Sequence, residues 1–177
     1  MIVDDKTVII GSANINDRSM IGKRDSEVAV VINDEAFEDG KMNGESFPCG
    51  VYAGHLRKHL FREHLGLINF DDGKIDVTDP IIDSFHKSVW IDISKANTKI
   101  FDDVFRCIPN DQVRNFVTLK KYNDEPALCK TNNDESERRL KDVKGFLVDL
   151  PLNFLCEELL TPPNLSREGI VGMTLWT

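Results

Sequence analysis

Residues 7–32 read TVIIGSANINDRSMIGKRDSEVAVVI. The run Val8-Ile9-Ile10 has the β-branched composition of a buried strand. It stops at Gly11 and gives way to small and amide residues: Ser12, Ala13, Asn14, then Asn16. At the far end, EVAVVI at 27–32 is apolar at successive positions after its glutamate, the pattern of a strand covered on both faces and therefore central. Upstream, Ile2-Val3 and Thr7–Ile10 flank Asp4-Asp5-Lys6, and β-prone runs around acidic turn residues predict a hairpin. Gly11 permits a turn and, having no Cβ, lets a ligand come close. Ser12 offers a hydroxyl and Asn14 an amide NH₂, and both can orient a neighbour or donate to an anionic oxygen. Transfer at phosphorus needs such donors, because charge spreads over the non-bridging oxygens. Taken alone, Gly-Ser-Ala-Asn reads by default as a structural turn closing a hairpin.

Working outward, residues 33–50 carry acidic residues, glycines and a proline without periodicity, which predicts a surface loop. Residues 51–67 place Leu56, Leu60, Phe61 and Leu65 at helical spacing, with Gly66 as C-cap. Asp79-Pro80 predicts a second helix start, an N-cap followed by proline, with Ile81, Phe85, Val89 and Trp90 facing inward. The helical pattern continues to Pro109. Residues 122–139 predict a polar loop leading into a short helix near Arg138–Val143, and GFLVDLP at 145–151 predicts a strand. Pro162-Pro163 marks a turn, and the closing GIVGMTLWT reads as an apolar segment packed into the fold. Strands and helices alternate, so the fold class is α/β.

With 177 residues, 41% hydrophobic and 29% charged, the composition is that of a globular domain with a real core. A net charge of −8 and a pI near 5.0 argue against a nucleic-acid binder and against purely electrostatic attachment to anionic lipid. Cys49, Cys107, Cys129 and Cys156 form no CxxC pair, so they give no zinc signature; they fit a reducing compartment and service as small core residues. The Asn164 sequon has no meaning in the cytosol. No apolar run approaches a membrane span and no signal-peptide core opens the chain. These features predict a soluble cytoplasmic chain.

The longer string is more specific than its parts. Asp4, six residues, Gly11-Ser12-x-Asn14, then Asp25-Ser26-Glu27 before an apolar strand resembles the phospholipase D superfamily, whose signature is His-x-Lys-x4-Asp-x6-Gly-Ser-x-Asn. NINDRSMIGKRDSEVAVVI is similar to the second copy of that motif in eukaryotic phosphatidylcholine-hydrolysing phospholipases D. LRKHLFREHLG, DPIIDSFHKSVW, IFDDVFRCIPND, GFLVDLP and the terminal LWT resemble that family's C-terminal region, so the likeness covers essentially the whole chain. It implies an incomplete C-terminal part of an α-β-α catalytic fold, a mixed sheet flanked by helices, spanning 1–177. Within it, 1–32 would be the remainder of the second motif and 51–177 the C-terminal helices and strands.

The resemblance also implies a chemistry. Two motif histidines meet at one site; one forms a phosphohistidine and the other protonates the leaving choline alcohol, without metal or cofactor. Asn14 would hold a phosphate oxygen, and Ser12 and Glu27 would orient the histidines, a carboxylate beside imidazole raising its pKa. Gly11 would give backbone room at the substrate, and Asp4, in the hairpin turn, a structural contribution. The motif's His and Lys would precede Met1, and the chain's histidines are His55, His59, His64 and His86. The implied enzyme therefore needs the remainder of the catalytic region with the first motif copy, works on phosphatidylcholine as a peripheral membrane protein, and is inactive as this chain alone. A non-catalytic remnant or another superfamily phosphodiesterase is the alternative. Rival signals are poorer: His55 and His59 share a helix face without the glutamate of a zincin. Arg57, Lys58 and Arg62 read as a solvated face or a headgroup contact, Lys23-Arg24 as salt-bridge partners of the acidic segment, and Trp90 and Trp176 as core.

Overall fold

A computed structural model describes residues 1–69 and 73–161. The chain divides into two compact units, one containing Met1–Asp39 and Pro48–Arg57, the other Gly40–Phe47 and Lys58–Glu158. The fold is α/β: helices combined with strands that pair antiparallel.

In the first unit, β1 (Ile2–Val3), β2 (Thr7–Gly11) and β3 (Ala29–Asn33) form a sheet in the order β1-β2-β3. The expected hairpin is present: Asp4 and Asp5 both take left-handed φ, 51° and 49°, and Lys6 N–H closes the turn on Val3 O. Aspartate tolerates that region better than most residues with a Cβ. β2 is the middle strand and Val8, at 1% exposure, its anchor. β3 departs from expectation. It pairs with β2 from Thr7↔Asn33 to Gly11↔Ala29, but among the described residues its other edge has no strand, and Val28, Val30 and Val31 are exposed. Its two-sided apolar character holds; its central position does not.

Residues 37–50, expected as loop, form a second hairpin, β4 (Phe37–Met42) and β5 (Glu45–Gly50). Asn43-Gly44 makes its turn, with φ of 53° and 82°. Asn-Gly is a strong two-residue hairpin signal, and here the acidic flanks masked it. α2 (Val51–His64) follows at once, and Gly66, φ 74°, ends it as expected.

α2 starts with carboxylate help from β3's end. Asp34 accepts from the N–H groups of Tyr52 and Ala53 at 3.0 and 2.7 Å, the donors a helix leaves unpaired. Gly50 leaves room for it, since a Cβ there would lie 2.2 Å from Asp34 Oδ2. One turn on, Arg57 is buried instead of solvated. Its guanidinium forks onto Asp5, with Nε at 2.9 and 3.0 Å and Nη2 at 2.7 Å from the carboxylate oxygens.

In the second unit, Asp79 caps the turn at Ile81 and Ile82, and helix α3 begins at Asp83 (Asp83–Phe85), later than Pro80 predicts. It passes through a π-helical turn, His86–Ile91, into α4 (Asp92–Phe105). Leu65, Leu67, Val77, Phe85 and Leu147 form a core with Phe61, Val89 and Trp90 packed on it; Ile81, expected inside, is exposed. Val113, Tyr122 and Leu155 make a smaller core, where burial and a hydrogen bond to the Asp102 carboxylate push the Tyr122 phenol up.

The polar stretch 122–139 is mostly helical, in α5 (Phe116–Asp124), α6 (Leu128–Thr131) and α7 (Asn133–Leu140). Asn115 and Asn132 cap α5 and α7, and Glu135 pairs with Arg138 and Arg139 along α7. In α7, capping and i,i+3/i+4 pairs offset the lack of an apolar face, whereas α5 packs Leu119 and Tyr122 into the smaller core. Residues 145–151 are not a strand. Their backbone is held by side chains: Asn97 Nδ2 donates to Lys144 O and Leu147 O, and Thr98 Oγ1 accepts from Asp149 N–H. Of the cysteines only Cys49 is buried; Cys107 and Cys156 are exposed. No helix among the described residues is long and apolar enough to cross a membrane. The terminal apolar run, Trp176 and Asn164 lie outside the described residues.

Candidate active site

The β2–β3 ladder ends at Gly11↔Ala29 and continues by one bond, from Ser12 N–H to Val28 O at 3.0 Å. A Cβ at Gly11 would sit 2.6 Å from Val28 O and 2.7 Å from the Ala29 Cβ, so the glycine's missing side chain is what lets β3 close on β2 here. Ser12 Oγ then donates to Glu27 Oε2 at 2.5 Å and accepts from Val28 N–H at 3.1 Å. The strand pairing thus brings together two residues fifteen positions apart that the sequence had linked only by resemblance.

Between them the chain makes one helical turn, α1 (Asp17–Met20). Asn16 caps it, its side chain accepting from Ser19 N–H at 3.1 Å. Ser19 Oγ donates to Glu27 Oε1 at 2.5 Å and accepts from Asn14 N–H at 3.1 Å. Arg18 and Asp25 close the base of the loop, with Nε–Oδ2 at 3.1 Å. Asp25 therefore has Arg18 as an ion-pair partner, seven residues before it in the chain. Glu27 is held below the usual carboxylate range by its Ser12 hydrogen bond first and by Ser19 second, with Arg18 adding to them; partial burial and Asp25 oppose the shift.

Gly11, Ser12, Asn14 and Glu27 thus gather at one end of the sheet. Asn14 is exposed, and its side chain makes no hydrogen bond among the described residues. Its amide is available to an outside oxygen. Asp4 lies in the turn at the other end of β2, the strand's 5 residues away from Ser12, or roughly 17 Å at the usual rise. It is exposed and cannot reach the Ser12–Glu27 cluster, whereas its neighbour Asp5 carries the buried ion pair.

Sequence reasoning missed Ser19 and Arg57. The first had a legible signal, an asparagine N-cap three residues before it in Asn16-Asp17-Arg18-Ser19. The second had none, since an arginine in a run of basic residues ordinarily faces water. His55 is exposed and pairs with Glu38 at 3.2 Å. Among the described residues no group of three or more His, Cys, Asp or Glu is placed to hold a metal ion.

The profile of the family described as Phospholipase D matches residues 1–74, which include all of this site. Human Phospholipase D1 is 46% identical over 177 residues, covering 100% of this chain and 16% of that protein. Phospholipase D2 of Bos taurus is 41% identical across the whole chain and 19% of its own length. Phospholipase D zeta 1 of Arabidopsis thaliana is 40% identical over 92% of the chain and 16% of its own length. The chain therefore spans less than a fifth of each of these relatives. The Gly-Ser-x-Asn end of β2, the glutamate that meets its serine, and an identity that runs through both units agree: the chain belongs to the phospholipase D family.

Proposed function

We propose that the Ser12–Asn14–Glu27 cluster is one half of a phosphodiesterase centre that hydrolyses phosphatidylcholine to phosphatidic acid and choline. The observation that carries this reading is the Ser12–Glu27 hydrogen bond beside an uncommitted Asn14 amide. The carboxylate has lone pairs left after accepting from two serines, and one of them can take the N–H of an imidazole. An imidazole so held keeps one tautomer and a raised pKa, which suits a residue that forms and then releases a phosphohistidine. Asn14 N–H₂ would donate to a non-bridging phosphate oxygen as its charge grows in the transition state. The histidines are not among the residues gathered here, because the first in the chain is His55. They belong to the remainder of the catalytic region, with which this chain acts at a membrane surface on the cytoplasmic side.

A chimera tests the reading: this chain replaces the 177 matched residues of human Phospholipase D1. It should release choline from phosphatidylcholine vesicles, while the 177-residue chain alone should release none. In the chimera, Asn14→Ala should lower kcat on the order of 100-fold, as for other lost oxyanion donors, with vesicle affinity unchanged. Glu27→Gln should instead reshape the pH profile. Equal losses of affinity and turnover for Asn14→Ala, or choline release by the chain alone, would count against the proposal.

A further inference from the structure

The one-turn helix α1 buries none of its residues, so packing does not account for it. What it does is turn Ser19 back over the sheet's end. There Ser19 Oγ meets two residues of the site at once, donating to Glu27 Oε1 and accepting from the Asn14 backbone N–H, at 2.5 and 3.1 Å. Ser12 holds the other carboxylate oxygen, Oε2. With each oxygen held by a different serine, the carboxylate plane is fixed, which a single hydrogen bond would leave free to rotate. The same hydroxyl ties the backbone of Asn14 to that plane, so the phosphate donor and the imidazole acceptor move as one body.

We infer that Ser19 is a positioning residue of the phosphodiesterase site, a clamp that sets Glu27 and Asn14 in register; this rests on the phospholipase D reading above. Asn16 belongs to the same device, because its cap fixes the turn that carries Ser19. A serine hydroxyl suits the place chemically, since it must donate to one partner and accept from the other. Threonine can do the same; alanine, valine and cysteine cannot do it as well. Preorganisation of this kind acts on turnover more than on binding, because the groups it aligns act on developing charge.

Two measurements decide it. In the 177-residue chain, carbon-detected NMR titration of the Glu27 carboxyl should show the midpoint rising in Ser19→Ala and staying in place in Ser19→Thr. An unmoved midpoint in Ser19→Ala overturns the clamp. In the chimera, Ser19→Ala should lower kcat about tenfold, the worth of one hydrogen bond to a charged group, with KM within about twofold. The acid limb of the pH–rate profile should move up, because Glu27 with one donor fewer takes its proton at higher pH. Ser19→Thr should restore most of the rate. Full activity in Ser19→Ala, or equal impairment in the alanine and threonine variants, overturns the role. A chimera with Ser19 intact that releases no choline refutes the phospholipase reading instead, and the titration still decides whether Ser19 holds Glu27.

Discussion

Four backbone N–H groups converge on the carboxylate of Asp79: Asn43 and Gly44 at 3.0 and 2.6 Å, Ile81 and Ile82 at 3.2 and 3.1 Å. One residue thereby satisfies the hairpin tip and the turn before α3, both in the same unit. Burial pushes this carboxyl up, and the four donors more than reverse it, leaving it below its ordinary value of 3.8. The group is depressed in the folded state, so its contribution is complete above the unfolded value and is lost as pH falls through the lower folded one. Asp79→Ala should destabilise by about 2–4 kcal/mol at pH 7, since four backbone N–H groups lose a buried, charged partner. Urea unfolding at pH 7 and pH 3 checks this: the gap between wild type and variant should narrow in acid. A gap equal at both pH values would mean that the charge is not what holds the turn. The sequence showed Asp79 as a cap, but only the fold shows that it caps from two directions.

At the scale of elements, the sheet of the first unit and the start of α2 are joined by charge more than by apolar packing. Asp34 takes the helix's free N–H groups, and Asp5 takes Arg57 at 3% and 6% exposure. Removing one partner of a buried pair strands the other, a loss of about 3–5 kcal/mol. Arg57→Met should show it in chemical denaturation, and Arg57→Lys should recover little, because an ammonium cannot make the fork. Combining Asp5→Asn with Arg57→Met should cost clearly less than the sum of the two. Additive losses would show that the pair is not coupled. This scale also marks where sequence reading succeeds and where it fails. β1, β2 and α2 were legible because period, turn residues and caps agreed. The polar run 122–139 was not, because α7 is held by Asn132 and Glu135 and shows no apolar stripe. GFLVDLP reads as a strand from composition, yet Asn97 and Thr98, some fifty residues earlier, take the bonds a ladder would have made.

For the molecule as a whole, the largest discrepancy is β3. Its sequence is that of an interior strand, and the site residues around it were legible through Gly-Ser-x-Asn and Glu27. Periodicity reports that both faces are apolar; it does not report which chain covers them. Here Val28, Val30 and Val31 stand at 77%, 56% and 58% exposure, beside Ile10 at 52%. An apolar strand with no strand on its other edge among the described residues is a template for association. The 177-residue chain should therefore associate with rising concentration, and Val31→Lys, a charge placed on that edge strand, should reduce it. Sedimentation velocity over a hundredfold concentration range is the check. A monomer throughout, or association indifferent to Val31→Lys, would place the sticky surface elsewhere.

The empty space at Gly50 has a consequence for how this region can vary. Glycines are commonly kept for a backbone angle, and Gly44, with φ at 82° and nothing within 4 Å of a built Cβ, is of that kind. Asparagine, which adopts that angle readily, should be accepted there in a saturation library scored for folding. Gly50 has no such angle, yet any side chain would meet Asp34 at 2.2 Å and push it off the helix it starts. Its tolerance should be the reverse: alanine and serine, the mildest replacements, should be depleted as strongly as large residues. Depletion should ease only in a background where Asp34 is already truncated. Two glycines six residues apart would then carry opposite mutational signatures, one read from the chain's own torsion and the other from a neighbour's carboxylate.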